Sequence, residues 1–67
     1  MQFEYRVAGI PAIINVTELD VRRSGGYNNV TSEFEVCDRR GRYAAWLERK
    51  LDDDMIADIK YEIAQRA

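Results

Sequence analysis

"CDRRGRYAAWLERKLDDD", residues 37–54, contains the change of period that decides the fold. Upstream of it, apolar side chains alternate every second residue; downstream they recur every third or fourth. The first spacing is that of a half-buried strand and the second that of an amphipathic helix. Between them lie Arg39, Arg40 and Arg42 around Gly41, then Trp46, then Asp52, Asp53 and Asp54. Three guanidiniums beside a glycine are chemically able to clamp phosphate or carboxylate. The simpler reading is a corner, in which Asp38 caps a reverse turn and Gly41 takes positive φ.

Immediately upstream, "VTSEFEVCD" (30–38) reads as a strand with Val30, Phe34 and Val36 facing inward. Glu33, Glu35 and Cys37 are then expected to face outward. Downstream, "AAWLERKL" (44–51) makes one or two helical turns and brings Leu47 and Leu51 together. "LDDDMIADIKYEIAQRA" (51–67) is the clearest helix. Asp52 is its N-cap, Leu51 and Ile56 form a hydrophobic staple, and Asp53 and Asp54 complement the helix dipole. Ile56, Ile59 and Ile63 form its apolar stripe.

Farther out, "QFEYRV" (2–7) alternates strictly, with Phe3, Tyr5 and Val7 on one face. Gly9 and Pro11 then turn the chain without letting it become helical. In "AIINVTELDVRR" (12–23) the apolar phase changes between Ile14 and Val16 on one parity and Leu19 and Val21 on the other. Either a β-bulge near Thr17 and Glu18 restores the phase, or Ile13, Leu19 and Val21 face the core and Ile14 covers a sheet edge. "SGGYNN" (24–29) is read as the loop closing a hairpin. The expected fold is α+β: a three-stranded antiparallel meander with a C-terminal helix packed on one face, in a single small domain spanning residues 1–67. Trp46 and Tyr43 are expected to seal the rim between sheet and helix, with Trp46 in the core.

At 67 residues the stability margin is thin, which favours a very regular fold or help from a partner, including a second copy. The net charge of −2, from ten basic and twelve acidic residues, argues against non-specific nucleic-acid binding. One cysteine makes no internal disulfide, and the longest apolar run is far too short to cross a bilayer. With no apolar leader evident, a soluble intracellular protein is the expectation. Asn15-Val16-Thr17 and Asn29-Val30-Thr31 match the glycosylation pattern, as chance occurrences in such a protein.

Catalysis has little material. There is no histidine, neither serine has an evident base, and Cys37 has no activating partner. No phosphate loop, zinc spacing or calcium loop is present, so no enzyme, metal or cofactor is expected. A hairpin register pairing Asp20 with Glu33 would set Glu18 against Glu35 and place four carboxylates on one exposed face. Interleaved arginines, or a different register, would remove that acidic site. The candidate contact residues are Tyr27 at the loop tip and the arginines Arg6, Arg39, Arg40 and Arg42. Arg6, ending the first strand, is the natural neighbour of Arg39, whereas Arg22 and Arg23 belong to the opposite end of the sheet. The leading expectation is binding to a partner protein, or to itself; weak nucleic-acid binding through the arginines is the alternative.

"GIPA" (9–12), "VT" (16–17) and "FEVCDRRGRYAAWLERKLDDDMIADI" (34–59) together resemble a set of small proteins encoded in phage and prophage genomes. In these a strand leads into Asp-Arg-x-Gly, then a Trp-Leu segment and an acid-capped helix. This chain departs from them at Ala44 and Ala45 or Tyr43, where the relatives have prolines, and at Ala12, where they often have cysteine. The group has no assigned activity, so no site residues carry over. The resemblance implies a small accessory protein of viral origin, in the host-cell cytoplasm, whose partner is a host or viral protein or a second copy of itself.

Overall fold

The computed structural model describes all residues 1–67. Three antiparallel strands in the order β1-β2-β3 are followed by two helices. Strand β1 spans Gln2–Val7, β2 Ile10–Ser24 and β3 Tyr27–Cys37; helix α1 spans Ala45–Glu48 and α2 Asp53–Arg66. The α+β meander closed by the final helix is the expected plan.

Strand β1 meets β2 through a two-residue turn at Ala8 and Gly9, both with positive φ (51° and 80°). Such turns match the right-handed twist of the strands. Pro11 lies opposite Arg6, in a part of β2 that extends past the last β3 pairing, Ile13 with Cys37. Its missing N–H therefore leaves no gap in the β2–β3 ladder.

Along β2, Val16 pairs with Phe34 and Glu18 with Glu33, so Thr17 is the extra residue of a β-bulge. The bulge turns Leu19 and Val21 onto the face that carries Ile14 and Val16. Ile14 is fully buried, which excludes the alternative in which Ile13 faced the core. The turn of the β2–β3 hairpin is Gly25–Gly26 alone, with both φ positive, and not the six-residue loop expected. That shortening moves the register: Glu18 faces Glu33, Asp20 faces Thr31 and Glu35 faces Asn15, correcting the expected Asp20–Glu33 and Glu18–Glu35 pairs.

Phe3, Val7, Ala12, Ile14 and Val36 from the sheet, with Ala44, Leu47, Ile59 and Ile63, form one core. Helix α2 starts as its sequence dictates: the Asp52 carboxylate accepts from the Met55 N–H at 2.7 Å. Two contacts tie α2 to β1: the Tyr5 hydroxyl donates to Asp58 Oδ2 at 2.9 Å, and Arg66 lies 4.6 Å over the Phe3 ring. The outer half of the β2–β3 hairpin has no such cover. Leu19 and Val21 remain 42% and 47% exposed, and the hairpin projects as an arm from a body whose longest dimension is 39 Å. No helix is long and apolar enough to cross a membrane.

Candidate basic cleft at the strand-to-helix bend

The five residues Asp38–Arg42 form a closed loop. The Asp38 N–H donates to the Arg42 carbonyl at 2.8 Å, and the Gly41 N–H donates to the Asp38 carbonyl at 2.9 Å. The Asp38 side chain accepts from the Arg40 and Arg42 N–H groups at 2.9 and 3.0 Å. Gly41 supplies the positive φ of 83° that closes the loop. The Arg42 and then the Arg40 amides hold the Asp38 carboxyl below its ordinary range. Beyond the loop, Tyr43 bridges back to Cys37 and the Ala44 N–H donates to the Val36 carbonyl at 2.9 Å, which launches α1 from the end of β3.

This return of the chain changes the exposure expected of Cys37 and not its side of the sheet, since it stays outside the core cluster that Val36 joins. Parity points it away from the core, yet Tyr43 closes over it and it is buried. Burial first, then the charges of Glu35, Asp38 and Glu48, push its thiol pKa up, so it is held as the unreactive thiol.

Trp46 is the second correction. It is not core: it stands 50% exposed, and Tyr43 59% exposed, while the neighbouring Leu47 is buried. Arg39, Arg40 and Arg42 with Ile10, Pro11 and Trp46 line a shallow cleft of about 320 Å³, which Asp38, its carboxylate bonded to the loop amides, also borders. Arg39 and Pro11 also border a wider depression on the outer sheet face, which Arg6 lines with Glu4 and Ile13. The loop thus gathers Arg6, Arg39, Arg40 and Arg42 at one end of the molecule. None of them is in an ion pair; the two ion pairs are Arg22–Asp20 and Arg66–Glu62. An apolar floor with an exposed indole and unpaired guanidiniums around it is suited to an anionic group carried on an apolar or planar body.

Tyr27 is 75% exposed but lies at the hairpin tip, the whole length of β3 from Arg39, and takes no part in this cleft. Of the four acidic residues, Glu18, Asp20 and Glu33 border one shallow depression, with Glu18 facing Glu33, whereas Glu35 lies apart beside Asn15. Asp20 pairs with Arg22 at 3.0 Å, and Asn15 Nδ2 donates to Glu35 Oε1 at 3.0 Å. No three histidine, cysteine or acidic side chains lie together as a metal site would require.

The model of the family described as YuA phage, Gp49 matches residues 2–63. The chain belongs to the YuA phage Gp49 family. A solved structure described as an uncharacterized protein from Pseudomonas phage YuA has the same fold at 41% identity, with a TM-score of 0.76 over 98% of this chain and 93% of that one. A search of functionally curated proteins finds no match. The expected kinship with small phage proteins is therefore correct at the level of the Gp49 family.

Proposed function

We propose that this Gp49-family chain is a non-enzymatic phage accessory protein of the host cytoplasm that works by protein–protein binding, and that its bend cleft takes an acidic segment of the partner. One observation carries this reading: a half-exposed tryptophan stands among three guanidiniums that have no ion-pair partner. Trp and Arg dominate the energetic centres of interfaces. An exposed ion pair contributes only about 0–1 kcal/mol, so the arginines select an anionic partner while covering Trp46 supplies most of the affinity. Single-stranded nucleic acid is the second reading, favoured by the same indole, on which a base can stack. The net charge of −2 and the Glu4 carboxylate in the adjoining depression oppose any extended anion, which leaves the cleft better suited to a short acidic segment than to a long polyanion.

Fluorescence anisotropy with a labelled acidic peptide and a labelled single-stranded oligonucleotide of equal charge separates the two. The expected result is peptide binding that Trp46→Ala or Arg40→Ala weakens about tenfold or more. Stronger oligonucleotide binding with the same sensitivity favours the second reading. Binding of neither at low salt removes both.

A further inference from the structure

Strand β2 has a neighbour on both sides only from Ile13 to Val16. Strand β1 runs alongside it as far as Gln2 opposite Asn15, with Met1 accepting from the Val16 N–H. From Thr17 to Ser24 the β1 side of β2 has no neighbour, and the arm is a two-stranded ribbon with a partly exposed apolar face. Two-stranded ribbons are marginal in water, and an open edge is a template for another strand.

The ladder shows which groups that edge offers. Ser24 and Tyr27 flank the two-residue turn as a hydrogen-bonded pair, so by alternation Asp20 and Arg22 bond toward β3. Leu19, Val21 and Arg23 therefore direct their N–H and C=O groups to the open side. The residues along it, Glu18-Leu19-Asp20-Val21-Arg22-Arg23-Ser24, are self-complementary about Val21.

We propose that this open edge of β2 pairs with the same edge of a second copy of the chain, antiparallel and centred on Val21, to make one continuous sheet. Val21 of each copy then exchanges both backbone bonds with the other, as do Leu19 and Arg23. Asp20 faces Arg22 of the second copy twice, as close non-hydrogen-bonded pairs on the outer face. On the apolar face the Arg23 stem lies across Leu19. Neighbouring centres fail: Asp20 would face Asp20, or Arg22 would face Arg22. In this register the turn of the second copy, Gly25–Gly26, ends beside Met1, and the two glycines bring no side chain of their own to that point.

The other two edges are less suited to a second copy. Strand β3 carries Glu33 and Glu35 and no cation, so it has nothing to balance its own carboxylates. Strand β1 offers only a six-residue edge, and it lies at the part of the sheet whose apolar face helix α2 already covers. At the β2 edge both charged partners are free to rearrange, since Arg22 and Asp20 side chains are 80% and 56% exposed.

Light scattering over a concentration series, with circular dichroism to confirm the fold, tests this pairing. The full chain is expected to be a dimer. Arg22→Asp sets carboxylates against each other at both symmetric positions and raises the dimer dissociation constant about tenfold or more. The exchange variant Asp20→Arg/Arg22→Asp restores the complement and with it the dimer. A monomer at every concentration overturns the proposal. So does a dimer indifferent to Arg22→Asp, which uses another edge, or an exchange variant that fails to recover. None of these outcomes bears on the bend cleft, which lies at the other end of the molecule.

Discussion

Ala8 is the one residue other than glycine with positive φ, at 51°. The left-handed region costs an L-residue roughly 1–2 kcal/mol, and part of that returns if glycine replaces it, offset by the extra freedom of the unfolded chain. Ala8→Gly is expected to stabilise the domain by about 0.5–1 kcal/mol in urea denaturation; a lower midpoint would contradict the turn described. Asp38 has the opposite character, since its carboxylate is committed to two loop amides. Because its folded pKa is lowered, its contribution is present above the ordinary carboxylate pKa. That contribution is lost as the pH falls through the lower folded value. Stability measured from about pH 5 down to pH 2 should therefore fall less steeply in Asp38→Asn than in the parent. Identical acid limbs would show that the loop does not depend on this charge.

Among the elements, α2 was the most legible in sequence because each of its signals is local. Asp52 caps, Leu51 and Ile56 flank the first turn, and Ile59 and Ile63 recur four apart to meet the sheet. Ile59→Ala should cost about 2–5 kcal/mol, enough to unfold a large fraction of so small a domain. Leu19→Ala on the uncovered arm should cost under about 1 kcal/mol, and equal losses in urea melts would mean that the arm is covered after all. The bulge at Thr17 was legible for the same reason as α2, since a parity change leaves no other way to keep Ile14 and Leu19 on one face. The register was not. "SGGYNN" carries turn formers at both ends, and only the paired positive φ of Gly25 and Gly26 lets the ladder run on through Tyr27. The burial of Cys37 was not legible, because strand parity says nothing of a chain that folds back through Tyr43. Trp46 was partly readable: Leu47 and Leu51 set the inward side of that turn, and the residue beside Leu47 must point elsewhere.

Taken whole, the molecule is 39 × 21 × 15 Å, with an apolar arm at one end and a basic cleft at the other. A final helix of fourteen residues covers the base of the sheet but leaves the arm bare. The Asp38–Arg42 loop joins sheet to helices and in doing so brings Arg39, Arg40 and Arg42 beside Pro11 and Trp46. The corner reading and the contact reading of residues 37–54 are therefore compatible, because the hydrogen bonds that make the turn leave its guanidiniums free. Since Trp46 is the only tryptophan, its indole N–H gives one resolved resonance that reports directly on the cleft. In a nuclear magnetic resonance titration with an acidic peptide, that resonance should shift saturably at low salt and return toward its free position as salt screens the arginines. It should stay still when Arg39, Arg40 and Arg42 are all replaced by alanine. An indole resonance that does not move in the parent chain, at peptide concentrations up to about 1 mM, would contradict the account of the bend as a contact surface.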